Sequence, residues 1–215
     1  MILEALRDFA ARRLPDHRLL DLDRRDEAPV EDLRAMCGQE LGIHLLFLPE
    51  EYGGMGGGSF DVYRVAERLG GIDVGIATGV CVGSMLGDVV SRGGTARQRQ
   101  EWLPRIAARG LLMAYAATEP QAGSDLGALQ TRAVPVLEEG AVVGYRITGQ
   151  KQWISNGGIA DACAVLANAP GGPTWFQPPD GGSPGIGSRL GRPRACRRVR
   201  GARSRSAPSS RTSAT

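Results

Sequence analysis

The chain has 215 residues, 42% hydrophobic and only 5% aromatic, with a formal net charge of +3. That length holds one or two domains, and no apolar run reaches bilayer-spanning length, so a membrane-embedded class is excluded. Cys37, Cys81, Cys163 and Cys196 are scattered with no CxxC pair, which excludes a structural zinc site or a disulfide framework and leaves free thiols of a reducing compartment. The start, Met1-Ile2-Leu3-Glu4, carries no signal-peptide pattern, so a cytoplasmic location is expected.

The charge is unevenly spread. Residues 189–215 hold nine arginines and no acidic residue, and taking those nine from +3 leaves −6 for residues 1–188. The folded part is therefore acidic and the basicity sits in the tail.

Residues 1–110 have helical patterning. Met1–Arg13 carries Ile2, Leu3, Leu6, Phe9 and Ala10 as one apolar stripe, and Pro15 ends it. Pro29–Leu41 predicts a second helix with Val30, Leu33, Met36 and Cys37 on one face. Residues 42–54 form an apolar link ending in a turn. Five glycines crowd Gly53–Gly58, in neither a GxGxxG nor a P-loop spacing, so a connector capped by Ser59 is favoured over a phosphate cradle. Ser59–Leu69 predicts a helix with Phe60, Val62, Tyr63, Ala66 and Leu69 inward. Ile72–Val90 predicts one central helix, close-packed through its small residues. Gly79-Val80-Cys81-Val82-Gly83 imitates a nucleophile elbow, but it lacks the preceding strand and a base partner. Thr95-Ala96-Arg97-Gln98 fits a capping box opening a helix that Gly110 ends.

From Leu111 the pattern changes to strands: Leu111–Ala117, Thr131–Leu137, Val142–Thr148, Gln152–Ser155 and Ala162–Ala167, with a hairpin break at Glu138-Glu139-Gly140. The fold class is α+β: an N-terminal helical domain (1–110), an incomplete β-barrel-like domain (111–176) and a disordered basic tail (177–215). Lysine occurs once, as Lys151, among 26 basic residues. An Arg/Pro/Gly/Ala/Ser-rich terminus is what a G+C-rich gene gives when read out of frame, so residues 177–215 are expected to be non-native. The alternative is a basic tail that binds nucleic acid.

Two stretches carry the chemistry. Ala114–Asp125 runs from a strand end into a loop of small and hydroxyl residues. Tyr115, Ala117 and Thr118 sit at the strand end, Gly123 permits close approach, and Ser124 and Asp125 add a donor and an acceptor. In Gly149–Gly158, Trp153 offers a flat surface and Ser155 a hydroxyl two residues on, which a strand would place on one side. The competing reading is a barrel core with Trp153 buried and the hydroxyls satisfying turns.

These two stretches, together with Leu48-Pro49-Glu50-Glu51-Tyr52-Gly53-Gly54, resemble segments of the acyl-CoA dehydrogenase family, in the family's order over residues 1–176. The resemblance implies FAD as cofactor, with Tyr115, Ala117, Thr118, Gly123, Ser124, Trp153, Ile154 and Ser155 lining it. Thr118 is implied to bond the isoalloxazine edge, Ser124 to touch both cofactor and acyl-CoA, and Trp153-Ile154-Ser155 to pack near N5. Ser155 stands where the family more often has threonine. The implied activity is α,β-dehydrogenation of an acyl-CoA thioester in fatty acid metabolism, with electron-transfer flavoprotein as redox partner and homo-oligomeric intact relatives. The family's glutamate base belongs to a C-terminal helical bundle. Residues 177–215 contain no glutamate, so this chain is expected to be truncated and inactive. A non-catalytic interaction module is the runner-up.

Overall fold

A computed structural model describes residues 2–176 and 197–204. The chain forms two compact units: Met1–Ala114 with Ile159–Asp161, and Tyr115–Gly158 with Ala162–Thr215.

The first unit is helical: α1 Ile2–Arg13, α2 Asp16–Arg25, α3 Val30–Cys37, α4 Ser59–Gly70, α5 Val74–Ser84, α6 Leu86–Gly93 and α7 Ala96–Arg109. Its core takes Leu6 and Phe9 from α1, Leu33 and Met36 from α3, Val65 and Leu69 from α4, and Ile76 and Val80 from α5. Each such buried side chain stabilises by roughly 1.5–3 kcal/mol. Pro15 ends α1 as expected, but it is also the N-cap of α2. The sequence left α2 unassigned because seven of its ten residues are polar or charged, and none of them is fully buried in the structure.

Asp32, fully buried at the start of α3, is held by Arg13 Nε at 2.8 Å and by an Arg18 guanidinium nitrogen at 2.6 Å. Arg18 hydrogen-bonds Oδ2 and Arg13 pairs with Oδ1 by charge alone, and the two cations offset a carboxylate that could not otherwise be buried. At the far end of α7, Ala107 C=O accepts from Gln39 Nε2 at 3.0 Å and lies 3.1 Å from His44 Nε2. Ala108 C=O takes a further bond from Gln39 at 2.7 Å. Side chains thus satisfy the carbonyls that a helix C-terminus leaves open. Thr95 and Gln98 form the expected capping box at the start of α7.

Four expectations are corrected here. Ile72–Val90 is not one helix: it breaks at Met85, whose N–H bonds Val82 O in an i→i+3 step. Glycine and serine at 83 and 84 hold a continuous helix weakly. Second, Val74–Gly93 taken as 20 residues at mean hydropathy 1.6 is long and apolar enough to cross a membrane by length and composition alone, although 44% of it is buried inside the protein. Third, Phe60 and Tyr63 are each 71% exposed; α4 buries Leu69 as expected, and with it Val65, four residues earlier. Fourth, Gly58 rather than Ser59 is the α4 N-cap, because Asp61 Oδ2 accepts from Gly58 N–H at 3.1 Å.

The second unit is built on a mixed sheet of β1 Met113–Ala116, β2 Arg132–Glu138, β3 Ala141–Lys151, β4 Ala162–Ala169, β5 Gly172–Phe176 and β6 Arg197–Ser204. The order is β1-β4-β2-β3-β6, with β5 on β4. β2 and β3 pair antiparallel through a two-residue turn, Glu139 (φ 51°) and Gly140 (φ 80°). Two positive φ values give the primed turn that matches strand twist. β5 was missed because Gly and Pro crowd its start; Trp175 and Phe176 make it a strand by stacking on Tyr115 (4.1 Å) and Tyr145 (5.1 Å).

The tail expectation is corrected for eight residues. Arg197–Ser204 is a strand, paired antiparallel with β3 from Tyr145↔Ser204 to Lys151↔Arg197. Backbone groups of an open strand edge accept any chain that can extend along them, whatever its composition. The rest of the proposed non-native tail lies outside the described residues.

Candidate functional site

The two stretches singled out in the sequence are tied to each other. Thr118 C=O accepts from Gln152 N–H at 2.9 Å. One residue before, Ala117 C=O accepts from Lys151 Nζ at 2.8 Å; one residue after, Glu119 Oε1 accepts from the same Nζ at 2.9 Å. Three successive residues past β1 are therefore fastened to the end of β3 and the residue that follows it.

Glu119 is the hub. Its side chain is 1% exposed and that of Lys151 is 3% exposed. Besides Lys151, its carboxylate accepts from Gln130 N–H (2.7 Å), Thr131 N–H (2.9 Å), Gln121 Nε2 (2.7 Å) and the Thr131 hydroxyl. Burial pushes the carboxyl up, but the bonds from Thr131, Lys151 and Gln130 outweigh it and hold Glu119 below the ordinary value. Burial lowers Lys151, while Glu119 pulls it back up. Gly149 makes room for this: a Cβ there would run into Thr131 Oγ1 and the Thr131 backbone.

The other candidates fall as follows. Tyr115 is half-buried, its ring on Trp175. Ala117 and Thr118 are half-buried beyond the end of β1. Gly123 and Ser124 are exposed, and a Cβ at Gly123 would meet nothing within 4 Å. Asp125 is spent on its own turn, accepting from Gly127 N–H at 2.9 Å. Ile154 is half-buried and Ser155 exposed. Among the described residues, no side-chain bond occupies the hydroxyls of Thr118, Ser124 or Ser155. The Thr118–Gln152 tie brings Thr118 beside the Trp153 segment. No hydrogen bond or ring contact among the described residues does so for Gly123 or Ser124.

The expected strand over Gln152–Ser155 is absent. β3 stops at Lys151, and Trp153 turns into the left-handed region at φ 58°, as does Asn156 at φ 59°. Trp153 and Ser155 therefore do not share one side of a strand, contrary to expectation. Trp153 is 61% exposed, which also removes the reading of it as a core residue. A large aromatic held in the open on a left-handed backbone is a shape suited to covering a ligand.

Sequence reasoning passed over Lys151, Gln152 and Thr131 as site residues. A signal existed for one of them. A chain that otherwise uses only arginine keeps lysine at 151. A slim ammonium fits between a carbonyl and a carboxylate where a planar guanidinium does not.

The family model for the acyl-CoA dehydrogenase N-terminal domain matches residues 1–110, and that for the acyl-CoA dehydrogenase middle domain matches residues 114–201. The chain belongs to the acyl-CoA dehydrogenase family. It is 36% identical over 144 residues to the mouse very long-chain specific acyl-CoA dehydrogenase, covering 66% of this chain and 21% of that protein. Butyryl-CoA dehydrogenase from Megasphaera elsdenii matches with a TM-score of 0.78 at 25% identity, over 95% of this chain and 56% of the other. An acyl-CoA dehydrogenase from Bacillus anthracis, solved with FAD, matches with a TM-score of 0.71 at 28% identity, over 95% and 36%. The chain thus spans about a fifth of the curated relative and about half of the first solved structure. As a family member it carries Thr118 and Trp153-Ile154-Ser155 at the end of β1 and just past β3 of its middle domain.

Proposed function

We propose that this chain is the flavin-reading portion of a FAD-dependent acyl-CoA dehydrogenase. The observation that carries the reading is the bond from Gln152 N–H to Thr118 C=O, which ties the backbone of a hydroxyl residue to the segment that carries an exposed tryptophan. The donor set fits a flavin. It offers hydroxyls without side-chain partners among the described residues, the open position at Gly123 and an uncovered indole, with the Glu119–Lys151 ion pair buried behind them. When bound, FAD supplies acceptance of a hydride from the β carbon of the thioester.

The residues have separate tasks in this reading. Thr118 and Ser155 donate to the ring edge, and Trp153 covers its face and excludes water. Ser124 reaches both cofactor and acyl-CoA. Tyr115, Ala117, Gly123 and Ile154 complete the lining. Removing the α proton needs a carboxylate, and Glu119 cannot serve: its oxygens already accept from Lys151, Thr131, Gln130 and Gln121. On this reading the chain as written binds FAD and does not turn over acyl-CoA on its own. The electron-transfer flavoprotein partner, the role in fatty acid metabolism and the cytoplasmic location belong to the same proposal. The free thiols of Cys37, Cys81 and Cys163 support the last.

The test is titration of the full chain with FAD, followed by an acyl-CoA and an artificial electron acceptor. Saturable binding that quenches flavin fluorescence, without acceptor reduction, is the expected result. No binding overturns the reading, and turnover overturns the inactivity.

A further inference from the structure

We infer that Glu119 and Lys151 are positioning residues for the flavin edge, their ion pair fixing the Thr118 strand end against the Trp153 segment. This rests on the flavin reading above and deepens it.

Three bonds join residues 117–119 to residues 151 and 152, and Lys151 Nζ makes two of them, to Ala117 C=O and to Glu119 Oε1. The third, from Gln152 N–H to Thr118 C=O, is the one beside the proposed ligand contacts. Without the ammonium, that single backbone bond must hold the register between the two loops. Glu119 in turn anchors the clamp to the sheet, through the Thr131 N–H next to β2 and through Gln130 N–H. The loop ends are thus fastened to rigid strands, leaving the Thr118 side chain, within the tied stretch, and Trp153, one residue past Gln152, to meet a ligand. Such support from behind decides whether contacting groups are held to the tolerance that recognition needs.

A buried pair can also be mere stability, so the experiment separates the two roles. FAD affinity is measured by flavin fluorescence, and the shape of the flavin visible absorption band is recorded, for the unsubstituted chain, Lys151→Met and Asp32→Ala. All are compared below their own unfolding temperatures. Asp32 lies in the helical unit and is the control for lost stability. Lys151→Met is expected to weaken FAD binding at least tenfold and return the band toward that of free FAD. Asp32→Ala is expected to change neither. Binding within twofold and an unchanged band in Lys151→Met overturns the proposal, as does an equal loss in Asp32→Ala. If Lys151→Met does not fold, Glu119→Gln decides by the same two readouts: its one amide oxygen keeps either the Thr131 or the Gln130 N–H bond, while the charge that holds Lys151 is removed. If the unsubstituted chain shows neither binding nor a perturbed band, the flavin reading itself falls, and the positioning role with it.

Discussion

Arg34 grips Asp161 across 127 residues of chain, with NH1 at 2.8 Å from both carboxylate oxygens. Its other terminal nitrogen donates to Ile159 C=O at 2.9 Å, and Asp161 Oδ2 accepts from Leu112 N–H at 3.0 Å. Residues 159–161 thereby join the helical unit, though the chain on both sides belongs to the other. The pair is partly exposed (46% and 30%), so solvent screens it. Arg34→Ala is expected to cost only about 1 kcal/mol in denaturant unfolding. Its sharper effect is faster amide exchange at Asp161, whose N–H bonds Leu112 C=O at 2.8 Å. Unchanged exchange there would show that the backbone bond holds without the arginine.

Asp32 and its two arginines should respond asymmetrically. Arg13 and Arg18 keep about a third of their side-chain surface, while Asp32 keeps none. Replacing both arginines by leucine leaves a buried carboxylate unpaired and is expected to cost roughly 3–5 kcal/mol. Asp32→Ala lets the arginines turn to water and should cost clearly less. Equal losses in urea unfolding would contradict this.

His44 gives a pH signature. Burial lowers its pKa below the ordinary value of 6.5, and its bond to Ala107 C=O pulls only partly the other way. The unfolded chain therefore binds the proton more readily than the folded one. Stability is full above about pH 6.5 and is lost as pH falls through the lower folded value. His44→Gln keeps a donor for Ala107 and should flatten that part of the profile between pH 7.5 and pH 5. An identical slope in both proteins would assign the acid loss elsewhere.

Trp153 should separate stability from binding. An L-residue at φ 58° is strained by about 1 kcal/mol, which glycine relieves. Its ring is mostly exposed, so little packing is lost with it. Trp153→Gly is expected to leave the ligand-free Tm unchanged or higher while abolishing most FAD affinity. A lower Tm with FAD affinity retained would make the tryptophan structural. Ser155→Ala is milder: one lost hydroxyl bond is worth about 0.5–1.5 kcal/mol, or roughly twofold to tenfold in FAD affinity.

Gly149→Ala probes the ground beneath the site. The added Cβ would collide with both side chain and backbone of Thr131, which cannot all move aside. A loss of about 1–3 kcal/mol is expected, together with weaker FAD binding, because Thr131 carries Glu119. A variant of unchanged stability would show that β3 can shift past Thr131.

Local chemistry was legible in the sequence alone. The Thr95–Gln98 capping box, the Gly110 helix end and the Glu139–Gly140 turn each depend on a few neighbouring residues, and each formed where those residues predicted. The change from helical to alternating patterning near residue 110 was legible for the same reason, and the motifs carried the family. The tertiary structure decided what depends on distant partners. It turned Phe60 and Tyr63 outward, broke the Ile72–Val90 helix and laid Arg197–Ser204 on the edge of β3. It also took Trp153 off a strand and buried the one lysine against Glu119, 32 residues away in sequence. A cap or turn is a bargain among neighbours, whereas burial, register and a buried ion pair exist only once remote segments have met.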